Sequence, residues 1–530
     1  MRILARWCSL GLLFAAAACG HPAAEIRPLG SRLEMFIDRY LIDTLTGVDL
    51  RLNHPLNAGT VLVFDQPWEG RYCIYVTVIK DGPLYRCHYR GKPTREADGG
   101  PDETTCYAES DDGIHWRKPD LGLHGHTNIL LDKTYPTVAH DFTPMLDTRP
   151  GVPASERYKA LGGTFGSRGN WPSANGYRAF ASPDGIHWRS LQDKPVISRE
   201  NYPVVHLDIS QIPTSWSDSE HCYVAYIRTW IVTGRPGYRG TDWAGGGTIR
   251  SVGRLTSPDF IHWSRMKMMD YGDAPLEQLY NSVTSPYFRA PYLYIALPPR
   301  IVFDRPVITP EQAEAIGLDP GDSHDTSEPV LMTSRGGTHY DRTFLEPLIP
   351  NGIGPENWTT RDNYPALNIV PTGRNEMSLY LDSDYSQLTN HLQRYTLPLD
   401  RFASVHAPFG GGEFTTRPLT FTGRSLYLNY ATSVAGRIRV EIQDADGHPL
   451  PGFALADSIE IVGNEIEQAA AWKSGATPVH RSWPGDIQNP TPVFEYTSWK
   501  GGEDLSGLAG RVIRLRFVMK AADLYALRFH

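Results

Sequence analysis

The chain has 530 residues and a formal net charge of −8 at pH 7, a length that predicts two or three domains. No long run of Lys and Arg occurs, which argues against a nucleic-acid partner, because phosphate binding needs clustered positive charge. Thirteen Trp and 27 Tyr suit half-buried strands, and they also suit sugar-binding clefts, where aromatic faces stack on pyranose rings.

Residues 1–19 are predicted to be a signal peptide of the lipoprotein type. Arg2 and Arg6 give a positive start, and the apolar run Leu10–Ala18 is too short to span a bilayer. Residues 16–20 read Ala-Ala-Ala-Cys-Gly, which resembles a lipoprotein junction with Cys19 as the acylated first residue. The alternative is ordinary cleavage after an Ala-x-Ala site. We expect an exported protein, periplasmic or at the cell surface, with a lipid at Cys19 as its link to the membrane.

A repeat of about 75 residues organises the middle of the chain. Its copies each follow a strand-like run and end on an aromatic residue: Glu109–Trp116, Ala181–Trp188, Thr256–Trp263 and Thr333–Tyr340. Ser and Asp in such a segment bond to nearby backbone N–H groups and fix a tight turn. The motif is therefore interpreted as scaffold and not as a catalytic site.

Each repeat contains four short strand candidates, the pattern of one propeller blade. The predicted fold class is all-β, a five-bladed β-propeller over residues 61–405 with a C-terminal β-sandwich over residues 406–530. Residues 20–60 are expected to form an extension that packs on the propeller, with Leu33–Ile42 as an outer strand that helps to close the ring.

Long insertions predict where a pocket lies. The first strand of a propeller blade lines the central channel, and the loops between its second and third strands lie at the end where that first strand begins. The insertions 91–104, 230–247 and 300–327 are of this kind. They predict a raised rim and a pocket on one face.

A carboxylate precedes each predicted inner strand, in the order Glu69, Asp141, Asp208, Glu277 and Asp362. Like charges crowded in a funnel cannot all stay ionised, so at least one pKa should rise. Glycosidic cleavage requires one ionised and one protonated carboxyl group. Glu69 and Asp141 are the favoured catalytic candidates, and Asp208 and Glu277 compete for the role of acid. Asp362 is interpreted as a turn residue or an ion partner of Arg361; the alternative for all five is ordinary turn chemistry.

Cationic and aromatic residues near the predicted strand ends are the candidates for substrate binding: Arg86, His140, Arg228, Trp230, Tyr280, Arg289 and Arg300. Arginine suits an anionic or heavily hydroxylated ligand, although ion pairing with the carboxylates is an equal alternative. His140 is a candidate proton partner or metal ligand, and the alternative is a hydrogen-bonded structural residue. The sequence has no C-x-x-C pair, and neither a metal site nor a cofactor is predicted.

The repeated turns ending in Ile-His-Trp resemble those of five-bladed glycosidases of the invertase, arabinanase and mannoside-phosphorylase type. Residues 36–42, 67–69, 157–160, 394–397 and 411–423 are similar to bacterial proteins of the glycosyl-hydrolase-32-like group. The resemblance implies a catalytic trio at Glu69, Asp141 and Asp208. The sequence lacks the Asn-Asp-Pro-Asn-Gly, Arg-Asp-Pro and Glu-Cys motifs of invertases, so it does not imply fructan specificity.

These features predict a glycoside hydrolase that acts on an oligo- or polysaccharide through a pair of funnel carboxylates. One alternative is a non-catalytic lipoprotein that binds glycan for other enzymes. A second is a structural propeller that binds protein partners.

Overall fold

The computed structural model describes residues 25–95, 98–135, 137–165, 175–202, 210–232, 247–303, 305–483 and 494–530. It is nearly all β, and it confirms the predicted five-bladed propeller followed by a β-sandwich. Within these ranges, no helix is long and apolar enough to cross a membrane.

The described chain begins with five strands: β1 (Arg27–Gly30), β2 (Glu34–Met35), β3 (Ile42–Thr46), β4 (Asp49–Leu52) and β5 (Leu56–Val63). Blade 1 contains β6 (Ile74–Asp81), β7 (Leu84–Gly91), β8 (Thr104–Ser110), β9 (Trp116–Arg117) and β10 (Ile129–Leu131). Blade 2 follows the short helix α1 (Val138–Asp141) and contains β11 (Thr143–Leu146), β12 (Tyr158–Phe165), β13 (Asn175–Ser182) and β14 (Arg189–Ser190).

Blade 3 contains β15 (Thr214–Ser217), β16 (Cys222–Val232), β17 (Thr248–Ser257) and β18 (Lys267–Met268). Blade 4 contains β19 (Thr284–Tyr287), β20 (Ala290–Ala296), β21 (Pro299–Phe303), β22 (Asp325–Pro329) and β23 (Met332–Ser334), with helix α2 (Pro310–Ala315) in its insertion. Blade 5 contains β24 (Tyr364–Pro365), β25 (Val370–Pro371), β26 (Glu376–Ser383) and β27 (His391–Pro398).

Ring closure differs from the prediction. The outermost strand of blade 5 is β5, which pairs antiparallel with β27, and not the segment Leu33–Ile42. An outermost strand buries at most one face, and β5 is mostly exposed. Residues 33–38 are all buried, because Leu33, Met35 and Ile37 pack against the side chains of blades 4 and 5.

The repeated motif forms the expected turn in three blades. The Oδ1 atom of Asp112 accepts hydrogen bonds from two backbone N–H groups, those of residues 114 and 115, both at 2.8 Å. Asp184 and Asp259 repeat this arrangement at 2.8 to 2.9 Å. Each turn joins the third strand of its blade to the outermost segment, so the motif is structural.

The sandwich contains β28 (Ala403–Ala407), β29 (Gly412–Thr416), β30 (Leu419–Phe421), β31 (Leu426–Gln443), β32 (Asn464–Ala469), β33 (Ala476–Trp483), β34 (Phe494–Gly501) and β35 (Arg514–Phe529). Strand β35 pairs with β31 along nearly its whole length and also with β2, β28 and β29. The N-terminal strands β1, β3 and β4 pair with β30, β29 and β28. The extension therefore links the two domains: its strands join the sandwich while several of its side chains pack on the propeller.

Candidate functional site

The five inner segments that line the central channel begin at one end and finish at the other. We call the end at which they begin the upper mouth and the opposite end the lower mouth. The second strand of each blade ends, and the third begins, at the upper mouth. The residues gathered there are Tyr75, Arg90, His140, Arg228, Arg250, Tyr280, Arg361, Tyr364 and Tyr385.

Three arginines surround one tyrosine ring. The guanidinium carbons of Arg228, Arg250 and Arg361 lie 5.1, 5.4 and 5.4 Å from the centre of the Tyr280 ring. Arg250 also lies 4.7 Å from the ring of Trp230, its direct cross-strand neighbour. Cation–π contacts at these distances orient each guanidinium without neutralising its charge.

Positive charge dominates this cluster. Burial would raise the pKa of Tyr280, but the adjacent guanidiniums of Arg361, Arg228 and Arg250 bring it below its usual value. Burial, followed by the charge of Arg228, lowers the pKa of Arg250 to about 9, so this group stays charged at neutral pH. Among the residues that the structure describes, no carboxylate oxygen lies within 4.0 Å of the guanidinium nitrogens of Arg250 or Arg361.

The blade 1 side of the upper mouth carries an acidic cluster. His140 Nδ1 lies 2.8 Å from Glu103 Oε2, and Lys92 Nζ lies 2.7 Å from Glu103 Oε1 and 3.0 Å from Asp98 Oδ1. Burial opposes ionisation of Glu103, but His140, Arg90 and Lys92 lower its pKa to about 2. The same neighbours overcome burial at Asp98 and hold its pKa well below the usual range, so both carboxyl groups are ionised.

This cluster has the donor types of a metal site. The ligand atoms of Asp98, Glu103 and His140 lie within 4.8 Å of one another. Lys92 already donates to both carboxylates, and Arg90 Nη1 lies 3.3 Å from His140 Nδ1. The two cations supply positive charge of the kind that a metal ion would bring to these carboxylates.

The opposite side of the mouth carries Asp325, a carboxyl group whose pKa is raised and not lowered. Asp325 begins β22 and pairs across the hairpin with Phe303, whose ring lies 5.0 Å from the guanidinium of Arg250. Its Oδ1 atom is buried and has no hydrogen-bond partner. Burial raises the pKa of Asp325, although Thr360 and Arg361 act in the opposite direction.

The structure describes three of the four predicted catalytic residues. Glu69 is fully buried within blade 1, where it accepts hydrogen bonds from Tyr89 Oη at 2.6 Å and Lys118 Nζ at 2.6 Å. Glu277 pairs with Arg300 and Arg342, each at 2.6 Å. Both have saturated structural environments, and nothing in their contacts indicates catalysis.

Among the predicted catalytic residues that the structure describes, Asp141 lies beside the upper mouth. It follows His140 in α1, is 1% exposed, and accepts a hydrogen bond from the Gly163 backbone N–H at 3.0 Å. Asp208 lies outside the described residues, as does Cys19. The catalytic roles assigned to these residues stay predictions.

The predicted binding residues separate into two groups. His140, Arg228, Trp230 and Tyr280 lie together at the upper mouth. Arg86, Arg289 and Arg300 instead make ion pairs with Asp81, Asp400 and Glu277. Arg86, Arg289 and Arg300 therefore follow the alternative in which the arginines pair with carboxylates.

Asp362 does not form the ion pair with Arg361 that was one of its two expected roles. Its Oδ1 atom accepts a hydrogen bond from the Asp384 backbone N–H at 2.7 Å, which suits the alternative of a turn residue. Burial and the charge of Asp384 raise the pKa of Asp362 to about 8. A neutral Asp362 leaves the positive charge of Arg361 available to the channel.

Four of the residues with positive φ angles lie where inner strands begin. Tyr75, Val283, Arg361 and Asn363 have φ angles of 61, 41, 54 and 55°. Positive φ is uncommon for any residue other than glycine, and it is a clear outlier for a β-branched residue such as Val283. These angles set the direction in which the side chains of Tyr75 and Arg361 enter the upper mouth.

The lower mouth is chemically different. It opens into a cavity of about 550 Å³ between the ends of the inner strands. Apolar side chains from several blades line it, among them Ile79, Met145, Trp216, Phe288 and Ile369. Lys80 and Asp218 are the charged residues in this lining, whereas many more charged side chains lie at the upper mouth.

No family model and no curated protein matches this sequence. A solved structure described as a complex of BT0996 and RGII has 12% identity and a TM-score of 0.43, covering 65% of this chain and 93% of its own. A solved structure of an N-acetylgalactosamine deacetylase from F. plautii in complex with blood group B trisaccharide has 14% identity and a TM-score of 0.38. It covers 71% of this chain and 95% of its own. The Bombyx mori GH32 β-fructofuranosidase BmSUC1 has 10% identity and a TM-score of 0.37, covering 89% of this chain and 94% of its own. At such values these similarities assign neither a substrate nor catalytic residues.

Proposed function

We propose that the protein is a glycoside hydrolase that cleaves an oligo- or polysaccharide at the upper mouth of the propeller. The observation that carries this proposal is a pair of carboxyl groups with oppositely shifted pKa values. Asp98 is ionised beside Lys92, whereas burial favours the protonated form of Asp325. Environments that separate the pKa values of two carboxyl groups are what glycosidic cleavage needs.

The two groups are connected through Arg361. This guanidinium responds to the charge of Asp98 and in turn acts on the pKa of Asp325. The rings of Tyr280 and Tyr385 lie beside the same guanidinium, at 5.4 and 5.3 Å. Aromatic faces beside charged and hydrogen-bonding groups form a surface suited to a sugar ring.

In the proposed reaction, protonated Asp325 gives its proton to the glycosidic oxygen as the bond from that oxygen to the anomeric carbon breaks. Ionised Asp98 acts at the anomeric carbon, either by direct attack or by taking a proton from the attacking water. Asp141, next to His140, is a further candidate for the ionised group.

A polysaccharide screen with matched variants tests this proposal. The full-length protein is incubated with neutral and acidic polysaccharides, and new reducing ends are measured. We expect Asp98→Asn and Asp325→Asn each to lower turnover at least about 10²-fold, the effect of losing a positioned acid or base. The control is Asp111→Asn, because Asp111 is an exposed carboxylate in the turn of blade 1.

Two results would contradict the glycosidase. One is full turnover by both variants, which would place the chemistry elsewhere. The other is tight glycan binding with no new reducing ends on any substrate, which would favour the non-catalytic glycan-binding protein instead.

We also propose that the protein is exported and anchored through a lipid at Cys19. The support is the positive start, the short apolar run and the Ala-Ala-Ala-Cys-Gly junction of residues 1–20. Radiolabelled palmitate should enter the wild-type protein, and Cys19→Ala should abolish the labelling. An unlabelled mature protein would leave simple cleavage of the signal peptide.

A further inference from the structure

Three guanidinium groups are crowded together at the upper mouth. Arg228, Arg250 and Arg361 converge from blades 3 and 5 on the ring of Tyr280. Within the described ranges, neither Arg250 nor Arg361 has a carboxylate oxygen within 4.0 Å. Like charges held close together in a partly buried site destabilise the folded protein unless an opposite charge joins them.

Arg250 also has hydrogen-bond donors without a partner among the described residues. The Nε and Nη1 atoms of Arg250 are buried and have no hydrogen-bond partner. Arg361 makes one side-chain hydrogen bond in the described chain, from Nη1 to Tyr385 Oη at 3.1 Å. Guanidinium donors in a fixed fork match the paired oxygen atoms of a carboxylate or a sulfate.

The arginines are also held in place by aromatic packing. Arg250 lies between the rings of Trp230, Tyr280 and Phe303, at 4.7, 5.4 and 5.0 Å. Arg361 packs against Tyr385. Because these contacts fix the guanidiniums before a ligand arrives, little side-chain entropy remains to be lost on binding.

We propose that the upper mouth selects glycans that carry an anionic substituent, with Arg250 and Arg361 binding the carboxylate of a uronic acid or the oxygens of a sulfate ester. This specificity rests on the proposed glycan site. The anionic substituent and the aromatic rings would together orient the sugar, leaving Asp98 and Asp325 to act on its glycosidic bond.

Equilibrium binding tests this proposal separately from turnover. The probes are uronate-bearing and sulfate-bearing oligosaccharides, each measured beside its carboxyl-reduced or desulfated counterpart by calorimetry. Wild-type protein should bind at least one charged member about 10-fold more tightly than its neutral counterpart, the effect of one charge-assisted contact. The uronate and sulfate arms identify which substituent is recognised.

Variants assign the preference to the arginines. Arg250→Gln and Arg361→Gln should each remove most of the preference for the charged probe. The affinity for the neutral counterpart should change by less than about 3-fold, a smaller change than the about 10-fold expected from losing one charge-assisted contact. Arg250→Lys keeps the charge but lacks the planar fork, and it should retain an intermediate preference. Arg117→Gln is the control, because Arg117 is half-exposed and pairs with Glu109 and Asp111. The melting temperature of each variant shows whether it is folded.

The outcomes separate the two proposals. Preferential binding of acidic probes without any cleavage would contradict the hydrolase and support the anion site. Four results would overturn the anion site. Two concern the wild-type protein and its substrates: cleavage of neutral glycans only, and equal affinity for charged and neutral members. The others are failure of every charged probe to bind, and an unchanged preference in folded Arg250→Gln and Arg361→Gln.

Discussion

The upper and lower mouths are built from opposite ends of the same inner strands, yet they share almost no chemistry. The upper mouth combines arginines, tyrosines, His140 and carboxyl groups with shifted pKa values. The lower mouth is a largely apolar cavity of about 550 Å³. One set of strands thus separates an end rich in charged and aromatic side chains from a largely apolar one.

The loops at the two faces of the propeller also differ in regularity. At the lower face, short turns close on the Oδ1 atoms of Asp112, Asp184 and Asp259, with nearly identical hydrogen bonds in each. At the upper face, long insertions cross between blades, as where the Arg95 guanidinium pairs with Asp322 at 3.3 Å. The repeated turns give the ring its regularity, and the irregular insertions add Asp98, Glu103 and Asp325 to the side chains at the upper mouth.

The largest expected effect compares equivalent substitutions at the two mouths. Asp141→Asn should lower turnover on a cleaved glycan at least about 10²-fold, as for a positioned acid–base group. Its melting temperature should change little, because the Asn side-chain oxygen can still accept the Gly163 hydrogen bond. Asp218→Asn changes an exposed carboxylate that lines the lower mouth, and it should leave turnover unchanged.

Steady-state kinetics and thermal unfolding of these two variants check the comparison. If Asp141→Asn kept wild-type turnover, the ionised group would be assigned to Asp98 alone. If Asp218→Asn were inactive while folded, the lower mouth could no longer be regarded as passive.

A second prediction concerns pH and the buried carboxyl groups behind the upper mouth. The pKa of Asp362 is raised from 3.8 to about 8 in the folded protein, by burial and by Asp384. A raised folded pKa stabilises the protein below the unfolded value, and this contribution is lost as pH rises toward the folded value. The free energy of unfolding should therefore fall between about pH 4 and pH 8 because of this group.

Asp362→Asn should flatten that part of the stability curve, because an amide has no proton to lose. Urea unfolding at several pH values measures the slope for both proteins. Asp382 is also fully buried with a raised pKa, so some slope should remain in the variant. An unchanged slope after Asp362→Asn would show that Asp362 is ionised throughout this range.

The repeat was enough to predict the propeller, whereas the site on the upper face that the insertions predict stays a prediction. The sequence identified His140 and Arg228 but not Arg250, Asp98 or Asp325, because the turn motif aligns the outer strands and not the channel. Arg250 could have been found: it lies opposite Trp230 in the hairpin of β16 and β17, and Trp230 was already a candidate. Asp98 and Asp325 belong to insertions, where no repeat aligns them.

Glu69 shows why position in the sequence was insufficient. It precedes the inner strand of blade 1 as predicted, but its carboxylate bonds to Tyr89 and Lys118 inside the same blade. The direction of a side chain near a strand entrance depends on local backbone angles. At Tyr75 and Arg361 the φ angle is positive. A single sequence predicts a positive φ at glycine but not at residues such as these.

The smallest expected effect tests the passive role of the lower face. Asp184→Ala removes the acceptor of two backbone N–H groups at 2.9 Å in the turn of blade 2. Loss of such a capping interaction should lower the free energy of unfolding by about 1–2 kcal/mol. The fourth repeat has Gly336 at the position of Asp184, so a turn without this carboxylate is tolerated elsewhere in the ring. We therefore expect Asp184→Ala to fold, to unfold at lower urea concentration and to keep wild-type turnover; lost turnover in the folded variant would show that the lower turns act on the upper mouth.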